Sequence, residues 1–144
     1  MIKRKASAIW QGGLKDGKGT ISSDSGVLKQ TQYSFGTRFE NGPGTNPEEL
    51  IAAAHAACFA MAFAHSLSQD GRKPERLAIS ANVTFDRVEG GMKVTRSALD
   101  VRGIVPGLDQ SGFQAAAEKA EKGCPVSNAL RGDVDITVRA TLDG

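Results

Sequence analysis

The sequence has little net charge and few aromatic residues. Its 18 Lys and Arg residues nearly balance its 16 Asp and Glu residues, which leaves a formal net charge of +2. This balance provides no strong field for nucleic acid or for an anionic membrane surface. Aromatic residues make up 6% of the chain, too few for a groove that stacks the bases of a single strand. The composition therefore argues against a nucleic-acid-binding or membrane-binding function.

Cysteine is also scarce, because Cys58 and Cys124 are the only two in the chain. The basic N-terminus, MIKRKASAIW, lacks the apolar run of a secretory signal peptide, so we expect a cytoplasmic protein. In a reducing compartment a permanent disulfide is not expected, whereas transient redox use of two thiols is plausible. The length of 144 residues predicts a single domain over residues 1–144, with a core that needs no disulfide staple.

The longest apolar stretch, residues 44–71, predicts one helix. Asn46 is a good N-cap, Pro47 suits the first helical position, and Glu49 is spaced as the glutamate of a capping box. Residues 51–67 carry no formal charge at neutral pH, and a helix that is apolar on most sides should be buried. Residues 51–67 are slightly too few for a transmembrane span, and they are rich in alanine and include two histidines. The helix also has the caps of a soluble helix. We therefore expect no span.

Alternation of polar and apolar residues predicts the strands around this helix. The expected strands are residues 3–11, 20–23, 33–40, 78–88, 92–105 and 133–142. Glu89-Gly90-Gly91 should join two of them as a hairpin. Asp109 should cap a helix over residues 113–122, and a short helix should follow over Pro125–Leu130. The fold class is α+β, with antiparallel strands, one hydrophobic helix in the middle and a second helical region between strands.

The two cysteines occupy different helical positions. Cys124 precedes Pro125 at the start of the short helix, where oriented N–H groups and the helix dipole lower a thiol's pKa. The alternative is a small N-cap residue without special chemistry. Cys58 lies inside the apolar helix, where a lone thiol is usually inert packing. Together they make a thiol–disulfide pair worth considering.

A metal site is the rival interpretation of the same helix. His55, Cys58 and His65 lie near one helix face. However, Cys58 and His65 are about 10 Å apart along the helix axis, too far for one ion with ligands at about 2 Å. We therefore expect no metal, and each histidine should be a satisfied polar residue.

Two separated motifs carry a family resemblance. GTNPEELIAAAHAACFAMA, followed after a long gap by GCPVSNAL, closely resembles the OsmC/Ohr family of thiol peroxidases. The opening AIWQGGLKDGKGTISSDSGVL and the segment YSFGTRFE resemble the OsmC (osmotically inducible protein C) branch in particular. In the Ohr branch an arginine follows the first Gly-Gly pair, where this chain has Leu14. The arginine role therefore falls on Arg38, as in the OsmC branch.

The resemblance implies roles for four residues. Cys58 resembles the peroxidatic cysteine, whose thiolate attacks a hydroperoxide and becomes a sulfenic acid, and Cys124 the resolving cysteine that then forms a disulfide. A dithiol reduces that disulfide, and no cofactor is implied. Arg38 resembles the guanidinium that stabilises the Cys58 thiolate, held by a bidentate pair with Glu48. The alternatives are an exposed strand residue for Arg38 and a dipole-complementing acid for Glu48, and Glu49 is also open as the partner.

Two physical constraints accompany the resemblance. A thiol in an apolar helix has its pKa raised by desolvation, so Cys58 needs a positive charge nearby, and an apolar pocket there would favour organic hydroperoxides over hydrogen peroxide. Glu48 and Cys58 are about 15 Å apart along the helix and about 80° around it, so they can hardly serve one site from the same helix. This predicts a homodimer with shared active sites. It agrees with the family's fold, in which antiparallel sheets wrap around long central helices in an intertwined dimer.

Two other functions stay open on the sequence. One is a redox sensor in which oxidation of the cysteines switches a partner surface. The other is a structural dimeric domain with inert thiols. The same two cysteines serve a sensor and an enzyme equally well, so the sequence does not separate them.

Overall fold

A computed structural model describes residues 1–144 and has the predicted α+β composition. The elements in chain order are β1 (Ala6–Gln11), β2 (Lys18–Ser23), β3 (Thr31–Tyr33), α1 (Phe35–Phe39), α2 (Pro47–Gln69), β4 (Arg76–Val88), β5 (Gly91–Ile104), α3 (Gln110–Lys122), α4 (Pro125–Leu130) and β6 (Asp135–Leu142). Residues Met1–Leu50 and Ile51–Gly144 form two compact units. Each unit has its own three-stranded sheet.

The first unit contains the antiparallel sheet β1-β2-β3 and the short helix α1. The strand expected over residues 33–40 is wrong, because β3 ends at Tyr33 and α1 follows. The reason is a capping box. The Thr37 N–H donates to Ser34 Oγ at 3.3 Å, and the Ser34 N–H donates to Thr37 Oγ1 at 2.8 Å. These paired bonds satisfy N–H groups that a helix start otherwise leaves free, and they outweigh the strand-like alternation of aromatic residues.

Helix α2 begins and ends close to the predicted positions. Asn46 Oδ1 accepts the Glu49 N–H at 2.8 Å, as an N-cap does. The Glu49 carboxylate accepts from the Thr45 hydroxyl at 2.8 Å instead, so the capping-box role expected for Glu49 is wrong. Gly71 has a φ of 75° just beyond the helix, and the Arg72 N–H then bonds the Leu67 carbonyl at 2.9 Å. This is a left-handed helix termination, for which glycine is suited because it has no Cβ.

One face of α2 is buried and the opposite face is not. Phe59, Phe63 and Leu67 are at most 1% exposed and belong to the core of the second unit. On the other side Met61 is 77% exposed. By length and composition alone the helix could cross a membrane, and only 22% of its most apolar stretch is buried. Within one chain the predicted burial of α2 is therefore found on one face only.

The second unit contains the sheet β4-β5-β6. Strands β4 and β5 form the predicted hairpin, with Val88 paired to Gly91 across the turn. Strand β6 pairs with β5 in parallel, from Arg96 opposite Asp135 to Gly103 opposite Leu142, which departs from the expected antiparallel arrangement. The physical reason is the helical crossover between these strands. Helices α3 and α4 return the chain to the end of the sheet near which β5 pairs first with β6, so both strands run in the same direction.

The helical crossover follows the predicted caps. Asp109 is the N-cap of α3, and its Oδ1 accepts the Gly112 N–H at 2.7 Å. Gly123 ends α3, and Cys124 is the N-cap of α4 with Pro125 at the first helical position. The short helix α4 therefore begins directly after Cys124.

Candidate active site

The structure brings the two cysteines together. Cys58 is half-buried on α2 and packs against the hydrophobic core, of which Cys124 is a fully buried member. Both are free thiols, and the Cys124 thiol is close enough to Cys58 to raise the pKa of the Cys58 thiol. The two sulfur atoms are therefore already neighbours in the reduced protein.

The surroundings of Cys58 have opposing effects on its acidity. Burial raises the pKa of the Cys58 thiol above its ordinary value, as expected for a thiol in an apolar helix. A hydrogen bond from the Val126 backbone N–H lowers this pKa, whereas the neighbouring Cys124 thiol raises it. The net shift is upward, so Cys58 needs a further positive charge to react as a thiolate at neutral pH.

Helix α4 presents its first turn to both sulfur atoms. The Val126 N–H bonds to the Cys58 thiol, and the Ser127 N–H lies 3.5 Å from Cys124 Sγ. The far end of α4 is held by Arg131, whose Nη1 and Nη2 donate to the two carboxylate oxygens of Glu121 at 2.9 and 2.8 Å. Because Glu121 is nearly buried, this bidentate pair fixes α4 to α3.

The two histidines of α2 have different surroundings. His55 is fully buried, and its ring nitrogens lie 2.7 Å from Ser97 Oγ and 2.7 Å from Ser127 Oγ. His65 is exposed and lies 3.3 Å from the Gln69 side-chain amide. Each ring has polar partners, as predicted. The buried serines were missed: Ser127 stands within the GCPVSNAL motif, whereas nothing local to Ser97 indicates its role.

Arg38 pairs with Glu48, and Glu49 has a different partner. Arg38 Nε and Nη2 donate to the same oxygen, Glu48 Oε1, at 3.1 and 2.8 Å. The expected fork that uses both oxygens of Glu48 is therefore wrong. Its other oxygen, Oε2, is buried and has no hydrogen-bond partner. The Asn46 side chain donates to the Thr37 carbonyl at 3.0 Å, so the N-cap of α2 is tied to the helix that carries Arg38.

A cavity of about 270 Å³ adjoins the Arg38 guanidinium. Its lining is mainly aromatic and aliphatic: Trp10, Leu14, Tyr33, Ser34, Phe35, Arg38 and Phe39. The Arg38 guanidinium carbon is 5.8 Å from the centre of the Phe39 ring, a distance at which a cation is attracted to an aromatic face. One cation in an otherwise apolar cavity suits a small organic molecule with a single polar end.

The four predicted site residues thus form two pairs. Arg38 and Glu48 lie in the unit Met1–Leu50, and Cys58 and Cys124 lie in the unit Ile51–Gly144. One pair supplies a guanidinium beside an apolar cavity. The other supplies two thiols, one from the middle of α2 and one from the start of α4. No group of three or more His, Cys, Asp or Glu side chains could hold a metal ion.

Comparison with known proteins gives matches over most of the chain. The family described as OsmC-like protein matches residues 40–139. Peroxiredoxin OsmC of Escherichia coli is 47% identical over 135 residues, covering 94% of each chain. The organic hydroperoxide resistance protein of Xanthomonas axonopodis pv. citri is 40% identical, covering 88% of this chain and 87% of the relative. The crystal structure of OhrB of Bacillus subtilis superposes with a TM-score of 0.76 at 31% identity, covering 95% of this chain and 98% of that one.

Proposed function

This chain belongs to the OsmC family, as its two cysteine motifs predicted, and we propose that it is a cysteine-based peroxidase. It reduces organic hydroperoxides to alcohols, and hydrogen peroxide less efficiently, in defence against oxidative and osmotic stress. The observation that carries the proposal is that two free thiols, Cys58 on α2 and Cys124 at the start of α4, lie close together at one core cluster. Two thiols that lie close together can form a disulfide as soon as one of them is oxidised.

The first step uses the Cys58 thiolate as nucleophile. It attacks the oxygen of the hydroperoxide that carries the hydrogen, so that an S–O bond forms and the O–O bond breaks. The alkoxide leaves with a proton as the alcohol, and Cys58 becomes a sulfenic acid, oxidised by two electrons. The Val126 N–H stabilises the thiolate on one side, because its hydrogen bond lowers the pKa of Cys58.

The second step uses Cys124. Its thiolate attacks the Cys58 sulfur, an S–S bond forms, and the sulfenic oxygen leaves as water. An external dithiol then reduces the disulfide by thiol–disulfide exchange and returns both cysteines to the free state. The position of Cys124 supports this role, because it caps the first turn of α4 and belongs to the core cluster against which Cys58 packs.

Arg38 supplies the positive charge that the Cys58 thiolate needs. Glu48 orients it, because both donors Nε and Nη2 bond to one carboxylate oxygen. The guanidinium stays charged at every relevant pH. The apolar cavity beside it favours hydroperoxides with a hydrocarbon group, since such a group gains from leaving water.

The active protein is an intertwined homodimer with shared sites. On α2, Ala53, Ala57 and Met61 are spaced by one helical turn and form an exposed apolar stripe, which a second copy of the same helix would cover. Glu48 and Cys58 are about 15 Å apart along α2. The Arg38–Glu48 pair of one chain therefore serves the Cys58 of its partner. A single OsmC-like domain over residues 1–144 and a cytoplasmic location belong to the same proposal.

Two cysteine variants test this function. Cys58→Ser should abolish hydroperoxide turnover with a dithiol reductant, because no nucleophile remains. Cys124→Ser should still react once, but Cys58 should then over-oxidise, which intact-protein mass spectrometry detects as added oxygen. Full turnover by Cys58→Ser would refute the enzyme assignment. Turnover per site in the unaltered protein separates an enzyme from a redox sensor.

A further inference from the structure

We infer that His55 is a positioning residue that holds the first turn of α4 in register with Cys58. It thereby sets how fast Cys124 resolves the Cys58 sulfenic acid. The inference rests on the proposed peroxidase function and adds a role to a buried residue whose hydrogen bonds go to two serines and to neither sulfur.

The imidazole joins three elements through short hydrogen bonds. His55 lies on α2, nearly one turn before Cys58, and has no exposed surface. The ring nitrogen Nδ1 is 2.7 Å from Ser97 Oγ on β5, and the ring nitrogen Nε2 is 2.7 Å from Ser127 Oγ on α4. Both serines are also fully buried. Deep in a core of low polarity, such bonds are costly to break, because each freed group would be left without a partner.

Ser127 connects this ring to the reacting sulfur atoms. Its hydroxyl bonds to His55, while its backbone N–H lies 3.5 Å from Cys124 Sγ. The preceding residue, Val126, donates its backbone N–H to Cys58. The same helix α2 therefore carries Cys58 and, through His55, fixes the turn of α4 that contacts both thiols. A shift of that turn would separate Cys124 from Cys58 and remove the Val126 hydrogen bond together.

The buried ring of His55 is neutral, and its two hydrogen bonds are compatible with that state. A neutral imidazole has one donor and one acceptor, so one serine accepts from the ring and the other donates to it. Burial lowers the pKa of His55 and keeps the ring neutral, although the Glu121 carboxylate on α3 opposes this. Arg131 pairs with that carboxylate at 2.8 Å, which limits its effect. A charged ring would be a donor at both nitrogens, which both hydroxyls could still accept, but it would bury an unpaired charge.

Two substitutions separate the two ends of the ring. A glutamine amide extends to about the position of Nε2 and can keep the bond to Ser127. An asparagine amide reaches only to about Nδ1 and can keep the bond to Ser97. Both replace the ring with a smaller polar group. They therefore share the cost of a partly emptied core site and differ in which serine remains bonded.

The experiment follows each variant through one oxidation by an organic hydroperoxide in stopped flow. His55→Asn should form the 58–124 disulfide about tenfold more slowly than His55→Gln, the effect of losing one buried hydrogen bond of about 1.4 kcal/mol. At equal peroxide, His55→Asn should also accumulate more over-oxidised Cys58. The ratio of disulfide to over-oxidised Cys58 is measured on molecules that have already reacted. A smaller amount of folded protein alone would therefore not produce the difference between the two variants.

A second pair keeps the test decisive if the His55 variants do not fold. Ser127→Ala and Ser97→Ala each remove one hydroxyl from the same ring. Ser127→Ala should slow disulfide formation and raise the pKa of Cys58, measured by alkylation rate against pH, and Ser97→Ala should change both less. The inference would be overturned if His55→Asn and His55→Gln slowed disulfide formation equally and Ser127→Ala and Ser97→Ala did so as well. Failure of the unaltered protein to form the disulfide would instead refute the proposed function.

Discussion

Leu14 and Arg38 line the same cavity, although they are far apart in the chain. The family resemblance gives this relationship a meaning, because the Ohr branch has its arginine at the position of Leu14. A guanidinium from either position could therefore reach the same space. In this chain the arginine comes from α1, and Leu14 adds to the apolar lining.

Moving the arginine tests whether the cavity or the position matters. Arg38→Leu should lower kcat/KM for an organic hydroperoxide by about 10- to 100-fold, since a hydrogen bond to a charged group contributes about 1.5–3 kcal/mol. The double variant Leu14→Arg/Arg38→Leu should recover a substantial part of that loss. Steady-state kinetics with excess dithiol measures both. If the double variant is no faster than Arg38→Leu, the two positions are not equivalent.

Glu48 and Glu49 offer a matched pair of carboxylates. Glu48→Gln should slow oxidation of Cys58 by about tenfold, because it weakens the bonds that orient Arg38. Glu49→Gln should have a much smaller effect, because Glu49 bonds to Thr45 and not to Arg38. The second-order rate constant for thiol oxidation distinguishes them. A larger effect at Glu49 would mean that the orienting carboxylate is wrongly assigned.

The apolar stripe on α2 predicts how the dimer can be broken. Met61→Glu should shift the protein toward monomer in sedimentation velocity, because it places a charge in a face that a second chain would cover. Met92→Glu is the control, since Met92 is an exposed methionine on the hairpin β4–β5 and not on α2. Peroxidase activity should fall with the dimer fraction if the sites are shared. A fully active monomer would contradict shared sites.

Stability should depend on pH through His55. The unfolded chain protonates this histidine as pH falls through about 6.5, whereas in the folded protein burial holds its pKa lower. The unfolded state therefore binds more protons below that pH, and the free energy of unfolding falls by up to about 1.4 kcal/mol per pH unit. Urea denaturation from pH 7.5 to 5 should show that the free energy of unfolding declines more steeply in the unaltered protein than in His55→Gln. Parallel curves would contradict a neutral buried ring.

The sequence predicts best where the structure depends on local chemistry. The caps at Asn46, Asp109 and Cys124 identified the starts of three helices, because a cap is formed by residues within one turn of each other. The strand predicted over residues 33–40 was an error with a local cause. Ser34 and Thr37 form a capping box in which a threonine replaces the usual glutamate or glutamine. Alternation of aromatic residues therefore suggested a strand where α1 begins.

Other features depend on contacts between distant residues. The parallel pairing of β6 with β5 follows from the route of the crossover, which no short pattern records. The partners of His55 lie 42 and 72 positions away, and a hydrogen bond between buried side chains leaves no periodic signal. The roles of Cys58, Cys124, Arg38 and Glu48 came from the family resemblance. Helix geometry alone predicted that Glu48 and Cys58 of one chain do not share a site.

The most direct test of the central claim is intact-protein and peptide mass spectrometry after one equivalent of an organic hydroperoxide. The proposed mechanism predicts a disulfide between Cys58 and Cys124, loss of both free thiols, and one molecule of alcohol per disulfide. Added dithiol should restore the free thiols. Stable oxygen adducts on Cys58 without a disulfide, or two unreacted thiols, would contradict the account.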